Sequence, residues 1–493
     1  MDKLSTDVAI VGAGNAALCA ALAAAEAGAN VVVLEAAPEG ERGGNSAYTA
    51  GAMRTVYNGV ADVRKLVPDI GDEDAKNTDF GSYSFDEYFD DMARITQHRA
   101  DPDLLEILVR HSLPTLEWMR RQGVRFQPSY GRQAFKVAGR FKFWGGLAVE
   151  TWGGGSGLVQ ALFDSASRAG VRVVYAARAR ELMLSSGRVE GVRATLRGGE
   201  TLEISAGAVV LASGGFEANA EMRARYLGPG WDLAKVRGSR HNMGDGIQMA
   251  LAVGAEPFGN WSGCHAVGWD MNAPPYGDLA VGDGFQKHSY PFGIMVNALG
   301  RRFLDEGADF RNYTYAKYGR KILSQPGQFA WQIFDAKVAH LLRDEYRIRE
   351  VTRVTADSVE DLAARMEGVD GARLAQTIGE FNAAVQMDVP FDPNVKDGRG
   401  TAGLEVAKSN WANPLDTPPY QAYGVTCGIT FTFGGLHIDG AGRVLDVATE
   451  PIPGLYAAGE LVGGLFYFNY PGGTGLTAGA VFGRRAGGAA AKT

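Results

Sequence analysis

The chain has 493 residues, too many for one simple core, so two or three domains are expected, and its 46% hydrophobic content is that of a globular protein. A net charge of −7 with no long basic run argues against a nucleic-acid partner. No apolar run reaches the length of a membrane span, and a strand begins so close to residue 1 that no signal peptide is expected, which points to the cytoplasm. Cys19, Cys264 and Cys427 are scattered, so they make no disulfide framework and hold no iron–sulfur cluster unaided; no metal site is expected.

The first informative stretch runs from Asp7 to Glu35. Residues 8–11 form a short apolar run, as expected of a strand buried on both faces of a parallel sheet. Gly12, Gly14 and Ala17 then occupy the places of G-x-G-x-x-G/A before an alanine-rich helix that closes at Gly28. The first glycine permits a sharp turn, the second lets backbone approach a pyrophosphate, and the small third residue lets helix and strand pack closely. The helix start offers unpaired N–H groups to an anion. Residues 31–34 read as the next strand, and Glu35 at its end is placed to accept from ribose hydroxyls. Strand, motif, helix, strand and acid in register predict a dinucleotide site.

A loop at 41–53 follows, in which Gly43, Gly44, Asn45, Ser46 and Gly51 offer backbone and short polar donors beside the nucleotide. Residues 54–143 read as largely helical, with Leu104, Ile107, Leu108, Leu113 and Leu116 at helical spacing and Gly123 as the stop. The run 144–158 leads into a helix to about residue 169. Five short strands are expected at 171–175, 181–186, 188–196, 201–205 and 208–212. From 237 to 427 aromatic residues and proline loops are frequent and strand signals thin out, with a helical section at 357–387. This is the expected place for a mobile capping domain. The closing segment 454–487 reads as a strand, a glycine loop and a helix.

The loop at 41–53, the strand end AVVLASGG at 208–215 and the closing GLYAAGE…GTGLTAGA resemble, in order, the flavin-contacting segments of the fumarate reductase and succinate dehydrogenase flavoprotein superfamily. The resemblance spans essentially the whole chain. It implies an α/β fold in which a Rossmann-like FAD-binding domain, its parallel sheet interrupted by a small antiparallel excursion, spans 1–236 and 428–493. An inserted α+β capping domain would occupy 237–427. It also implies FAD as cofactor, with Ala179 near adenine, Ala212 and Gly214 at the second strand end, Asp245 in a Gly-Asp-Gly turn, Glu460 on ribityl or ribose hydroxyls, and Thr474, Gly475 and Leu476 at the ring's carbonyl edge. Several members tether the flavin to a histidine in the 41–53 region. Here no histidine precedes His98, so the resemblance implies non-covalent FAD. Within the superfamily, segments 288–319 and 468–485 most resemble the tricarballylate dehydrogenase group.

Dehydrogenation of a carbon–carbon bond flanked by carboxylates needs cations to bind them and a group to move the second hydrogen as a proton. RRFLDEGADFR supplies Arg301, Arg302, Asp305, Glu306, Asp309 and Arg311. Arg311 resembles the proton-relaying arginine of fumarate reductases, one residue further on than the commonest spacing; the alternative is a surface pair with Glu306 or Asp309. His265 resembles their cap-edge substrate histidine, and His241 and His288 are further carboxylate-binding candidates. Two features depart from fumarate reductases. Thr430 stands where they place a histidine before Gly434-Gly435, and Asn469-Tyr470-Pro471-Gly472-Gly473 replaces an N-R-L-G-G segment. Tyr-Pro-Gly there resembles the 3-ketosteroid dehydrogenase branch, so Tyr470 is expected to polarise a substrate carbonyl. The catalytic candidates are therefore Arg311, Tyr470 and His265. The substrate is expected to be a small carboxylate or carbonyl compound, with tricarballylate implied by the nearest resemblance. An enone-forming dehydrogenase, an alkene reductase and a flavin subunit passing electrons to a separate iron–sulfur or membrane partner stand as alternatives.

Overall fold

The computed structural model describes residues 2–143 and 145–493; Trp144, at the head of the 144–158 run, lies outside them. Strand β1 (Asp2–Val11) starts earlier than its apolar run predicts and leads through Gly12 into helix α1 (Asn15–Glu26) and strand β2 (Val31–Leu34). All four residues of β2 are buried, as a strand covered on both faces requires. Helix α1 is apolar nearly all round, and its alanines from Ala16 to Ala24 are buried, so it sits inside the protein instead of over it.

Residues 54–143 are helical only in part. Short helices at Gly59–Leu66 and Phe85–Ile95 precede α2 (Pro102–Arg121), where Asp101 caps the first turn and Leu104, Leu108 and Leu116 are buried. Gly123, at φ 96°, ends the helical stretch. Beyond it the expectation of helix fails: β3 (Ala134–Val137) and β4 (Arg140–Phe143) form a hairpin. Its two-residue loop, Ala138-Gly139, has positive φ at both positions (49° and 83°), the backbone that matches a hairpin's twist. Phe141 and Phe143 pack on Tyr130, with ring centroids 4.8 and 5.4 Å away, so period-two packing outweighs helical propensity.

Four strands, not five, fill 171–212: β5 (Arg172–Val174), β6 (Ala177–Ser185), β7 (Arg188–Leu196) and β8 (Thr201–Leu211). Ser-Ala-Gly at 205–207 reads as a break, but β8 runs straight through it because β1 pairs with it in parallel from Asp2↔Leu202 to Val11↔Leu211. The first half of β8 also pairs antiparallel with β7, and β7 with β6, which is the expected antiparallel excursion.

The region after residue 236 holds more strand than its sequence signals. The 14-residue β9 (Pro257–Asp270), β10 (Phe329–Phe334) and the 17-residue β11 (Tyr420–Leu436) belong to a second, six-stranded sheet. The expected boundary at 427/428 falls inside β11. The helical section at 357–387 is two helices, Val359–Arg365 and Gly371–Ala384, separated at Gly368 (φ 76°). The chain then returns to the first sheet as β12 (Pro451–Ala457), parallel to β8, and ends in α3 (Thr474–Ala490). Among the described residues no helix is long and apolar enough to cross a membrane.

Helices α1 and α3 cross at backbone contact. A Cβ on Gly483 would lie 2.3 Å from the Ala16 carbonyl oxygen, and one on Gly487 2.0 Å from that of Ala20. Gly487→Val should therefore push the two helices apart and destabilise the fold by about 1–3 kcal/mol, seen as a lower thermal midpoint. Unchanged melting would show that the close approach is dispensable.

Candidate active site

Strands β1, β2, β8 and β12 end side by side at Val11, Leu34, Leu211 and Ala457. Beyond these carboxyl ends opens a cleft, the usual ligand position in a parallel sheet. Gly12, Gly14, Glu35, Gly44, Asn45, Ser46, Ala179, Ala212, Gly214, Asp245 and Glu460 all line it.

Two of these glycines have different jobs. A Cβ on Gly12 (φ 104°) would sit 2.4 Å from the Ala212 carbonyl oxygen, so the fold itself demands glycine there. A Cβ on Gly14 would meet no protein atom closer than 3.5 Å, so the space Gly14 leaves belongs to the cleft at the start of α1. A pyrophosphate fits that space and the α1 N–H groups facing it. Glu35 is buried and accepts from the Ala37 N–H at 2.8 Å; burial lifts its carboxyl to about 7. Ser213 also lines the cleft, and its buried Oγ has no protein partner, which leaves it for a polar ligand.

Four expected cofactor residues line neither this cleft nor the cavity beyond it. Ala17 is buried within α1. Gly43 turns the chain at φ 105° with Val159 where a Cβ would go, and a Cβ on Gly51 would overlap the Thr151 Oγ1. Thr474 is buried beside the Tyr88 hydroxyl at 3.4 Å. These positions shape the walls. Asp245 is held by Arg178, whose Nε donates to it at 2.7 Å. Glu460 accepts from the Thr432 N–H at 2.9 Å and faces Glu217, which the sequence reading missed. Burial and the neighbouring Glu217 raise the Glu460 carboxyl well above the usual range, so the two acids retain a proton between them. The acid after the glycine pair in SGGFEAN was the available signal for Glu217.

Past Asn15, Ser46 and Glu460 the cleft continues into a deeper cavity of about 180 Å³. Arg311, Tyr470 and His265, far apart in sequence, all line it, together with Gly475 and Leu476. Of the six charged residues at 301–311, only Arg311 reaches it: Arg302 pairs with Glu306, and Asp309 with Arg94 and Lys396. The Arg311 Nη2 donates to the Arg132 carbonyl. Burial and then the Arg343 guanidinium pull Arg311 down to about 9.

Three further arginines, which the sequence reading missed, converge here. Arg132 donates to Asp283 at 3.1 Å, Arg237 to the same carboxylate at 2.9 Å, and Arg343 to Glu345 at 2.9 Å. Nothing local marks them among the chain's 49 lysines and arginines. His265 projects from β9 beside a register shift, which re-aims a side chain, and lies tilted against Tyr470 at 4.8 Å between ring centroids. Burial, with Arg237 adding, lowers it well below its usual value, so it is neutral and neither ring nitrogen has a protein partner. His288 lines the same cavity, also neutral through burial. His241 does not: it sits in the outer cleft beside Glu41 at 3.2 Å, which removes it as a carboxylate binder in this cavity. Thr430, at the place of the departed histidine, accepts from Arg237 at 3.2 Å.

The Tyr470 hydroxyl accepts from the Gly473 N–H at 3.0 Å. That turn is held by the buried Arg54, whose Nε donates to the Gly472 carbonyl at 2.9 Å and whose guanidinium lies 5.2 Å from the Tyr83 ring centroid.

The cleft yields two expectations. Gly14→Val should fold normally yet lose the dinucleotide, read as loss of bound chromophore at unchanged thermal stability of the ligand-free protein. Glu35 has its folded pKa above the ordinary 4.5, so folding favours its protonated form. The ligand-free protein should therefore lose up to about 3 kcal/mol of stability from this group as pH rises from 4.5 to about 7. Glu35→Gln should abolish that dependence in denaturant titrations at pH 5 and pH 8.

A sequence profile of the FAD binding domain family matches residues 7–476. A probable fumarate reductase of Shewanella frigidimarina, Ifc3, is 31% identical over 99% of this chain and 75% of its own length. The urocanate reductase of Eggerthella lenta is 30% identical over 98% of this chain and 74% of its own. The open conformation of a flavocytochrome c3 fumarate reductase superposes with a TM-score of 0.73 at 28% identity, covering 99% of this chain and 78% of that one. A 3-ketosteroid Δ1-dehydrogenase of Sterolibacterium denitrificans shares the fold at TM-score 0.73 and 23% identity, covering 99% of both chains. By profile, identity and architecture, the chain belongs to the FAD binding domain family within the fumarate reductase/succinate dehydrogenase flavoprotein superfamily, and is an FAD-dependent oxidoreductase.

Proposed function

We propose that this enzyme moves a hydride and a proton across a carbon–carbon bond alpha to a carboxylate, in a polycarboxylate of the tricarballylate type. The observation that carries the reading is the convergence of Arg132, Arg237, Arg311 and Arg343 on one cavity. Planar guanidiniums bind carboxylates in pairs of parallel hydrogen bonds, and four of them suit a substrate with several carboxylates. The names of relatives support the reading: they include a probable fumarate reductase and a urocanate reductase.

Bound FAD would supply the hydride-exchanging chemistry, held by residues of the cleft such as Gly14 and Glu35 and by Gly475 and Leu476 of the cavity. Arg132, Arg237 and Arg343 are anchored by Asp283 and Glu345 and orient the carboxylates. Arg311 moves the proton at its guanidinium nitrogens, because burial beside Arg343 has weakened its hold on that proton. Neutral His265 and the Tyr470 hydroxyl donate to substrate oxygens, and Phe431 and Phe466 exclude water. Closure of a cap built on the second sheet over the flavin would complete the site. Electrons leave to a separate acceptor, since the three cysteines are scattered.

A second reading, dehydrogenation next to a ketone, is favoured by Tyr470 alone, whose oxygen is fixed by Gly473 and whose proton remains to polarise a carbonyl. Anaerobic bleaching of the bound flavin separates the two. Tricarboxylates and dicarboxylates should bleach it and cyclic ketones should not; the reverse would replace the first reading with the second.

Acid precipitation should leave the yellow colour in the supernatant, as expected of non-covalent FAD; a yellow pellet would refute it. Arg311→Lys should retain FAD but lose about 10²–10⁴-fold in turnover. With Arg311 at about 9, oxidation should speed up as pH rises toward 9, where its neutral form accumulates, and reduction should slow. Near-normal turnover of Arg311→Lys would remove it from the proton path.

A further inference from the structure

The arginine cavity has a second side. Arg132 and Arg343 also line an open chamber of about 800 Å³, which lies between hairpin β3–β4 and the 3₁₀ segments Ala336–Leu341 and Asp344–Tyr346. Between chamber and cavity a small pocket is lined by Phe135, His288, Arg311 and Arg343. Shared walls thus set the chamber beside Arg311, on a side away from the dinucleotide cleft.

The chamber's lining is mostly cationic. Its described wall carries Arg132, Lys136, Lys337, Arg343 and Arg347 against one carboxylate, Asp344, which pairs with Arg347; Arg132, Lys337 and Arg343 pair with acids outside the lining, Asp283, Asp335 with Asp416, and Glu345. Lys136 and Arg347 are exposed and stand at its outer part, on the hairpin and opposite it. This cationic lining stands out in a chain whose net charge is −7. At the inner end the Arg132 carbonyl accepts from both Arg311 and Arg343, so the root of the hairpin fastens two guanidiniums between chamber and cavity. A low-dielectric concavity of one sign concentrates ions of the other and raises their rate of entry.

We propose that this chamber is an entrance for anionic substrate: Lys136 and Arg347 gather it from solvent, and Arg132 and Arg343 receive it and pass it to Arg311. The residues that hold the substrate for reaction are then reached through residues that only steer it. This rests on the reading of the substrate as a polyanion, but a small anion that reaches any flavin tests the passage separately.

The experiment compares the FAD-loaded protein with its Lys136→Glu/Arg347→Glu and Lys136→Gln/Arg347→Gln variants. The probe is the second-order rate of flavin bleaching by sulfite, followed from low salt to about 0.5 M salt. At low salt the charge-reversed variant should bleach about tenfold more slowly than the parent, the glutamine variant should fall between, and the three should converge as salt screens the chamber. Flavin content and thermal midpoint should be unchanged in both. In parallel, kcat/KM for the best polycarboxylate should fall with the sulfite rate while kcat holds. Equal sulfite rates in all three proteins at low salt would overturn the entrance. If sulfite behaves as expected but no polycarboxylate is turned over, the entrance stands and the proposed substrate class falls. If polycarboxylates react and sulfite ignores the charges, the substrate class stands and the entrance falls.

Discussion

The parallel pairing of β1 with β8 is the constraint on which the rest of the molecule depends. It holds Val11 beside Leu211, so the two chains leaving the sheet, Gly12 and Ala212, emerge almost in contact. Only a residue without a side chain can turn there, and the turn sets the start of α1 at the mouth of the cleft. Addition of β12 on the other side of β8 brings Glu460 to the same edge, more than four hundred residues away in sequence. Helix α3 then closes over α1 through glycines, which allows a helix from each end of the chain to share one core. The ligand edge is thus assembled from widely separated segments by backbone hydrogen bonding alone, before any functional side chain is considered.

Charge in the inner cavity follows a different logic. Four guanidiniums meet three acids, with Asp283 serving Arg132 and Arg237, Glu345 serving Arg343, and Glu150 within 3.8 Å of Arg132. Removing that many charges from water is costly, and it is tolerated because backbone carbonyls and carboxylates satisfy the donors. Glu345 also opposes the lowering of Arg311 by burial and Arg343, so the acids are shared across the whole cluster.

Much of this was legible in the sequence because it is written locally. The turn at Gly12–Gly14, the strand and acid at 31–35, and the glycine-rich helix start at 474 each need only a dozen residues to declare themselves. Arg311, Tyr470 and His265 were found through motif context, and the structure brings all three into one cavity. The strands β9 and β11 were obscured because they are buried over most of their length, with cysteine, glycine and aromatic residues in place of clean alternation. Hairpin β3–β4 was lost for another reason, since its turn is Ala-Gly where Asn-Gly would have signalled it. Arg132, Arg237, Arg343 and Arg54 could not be read at all. Their importance arises from where remote segments meet, and no spacing records that.

Asn45 draws a consequence from its three hydrogen bonds. Its amide nitrogen donates to Glu217 and to the Thr430 carbonyl, each at 2.6 Å, and its oxygen accepts from the Ser239 N–H at 2.8 Å. One short side chain in the nucleotide loop therefore fastens the strand end that follows β8, the central strand of the second sheet, and the segment leading into it. Occupancy of the cleft and geometry of the cavity cannot be independent variables under that arrangement. Whatever stiffens this loop from the dinucleotide side also stiffens Thr430 and, through it, Arg237. By thermodynamic reciprocity, the tightening must act equally in the other direction. A substrate that favours the ordered loop will hold the cofactor in place, and an empty reaction chamber will be the state from which FAD is most readily lost.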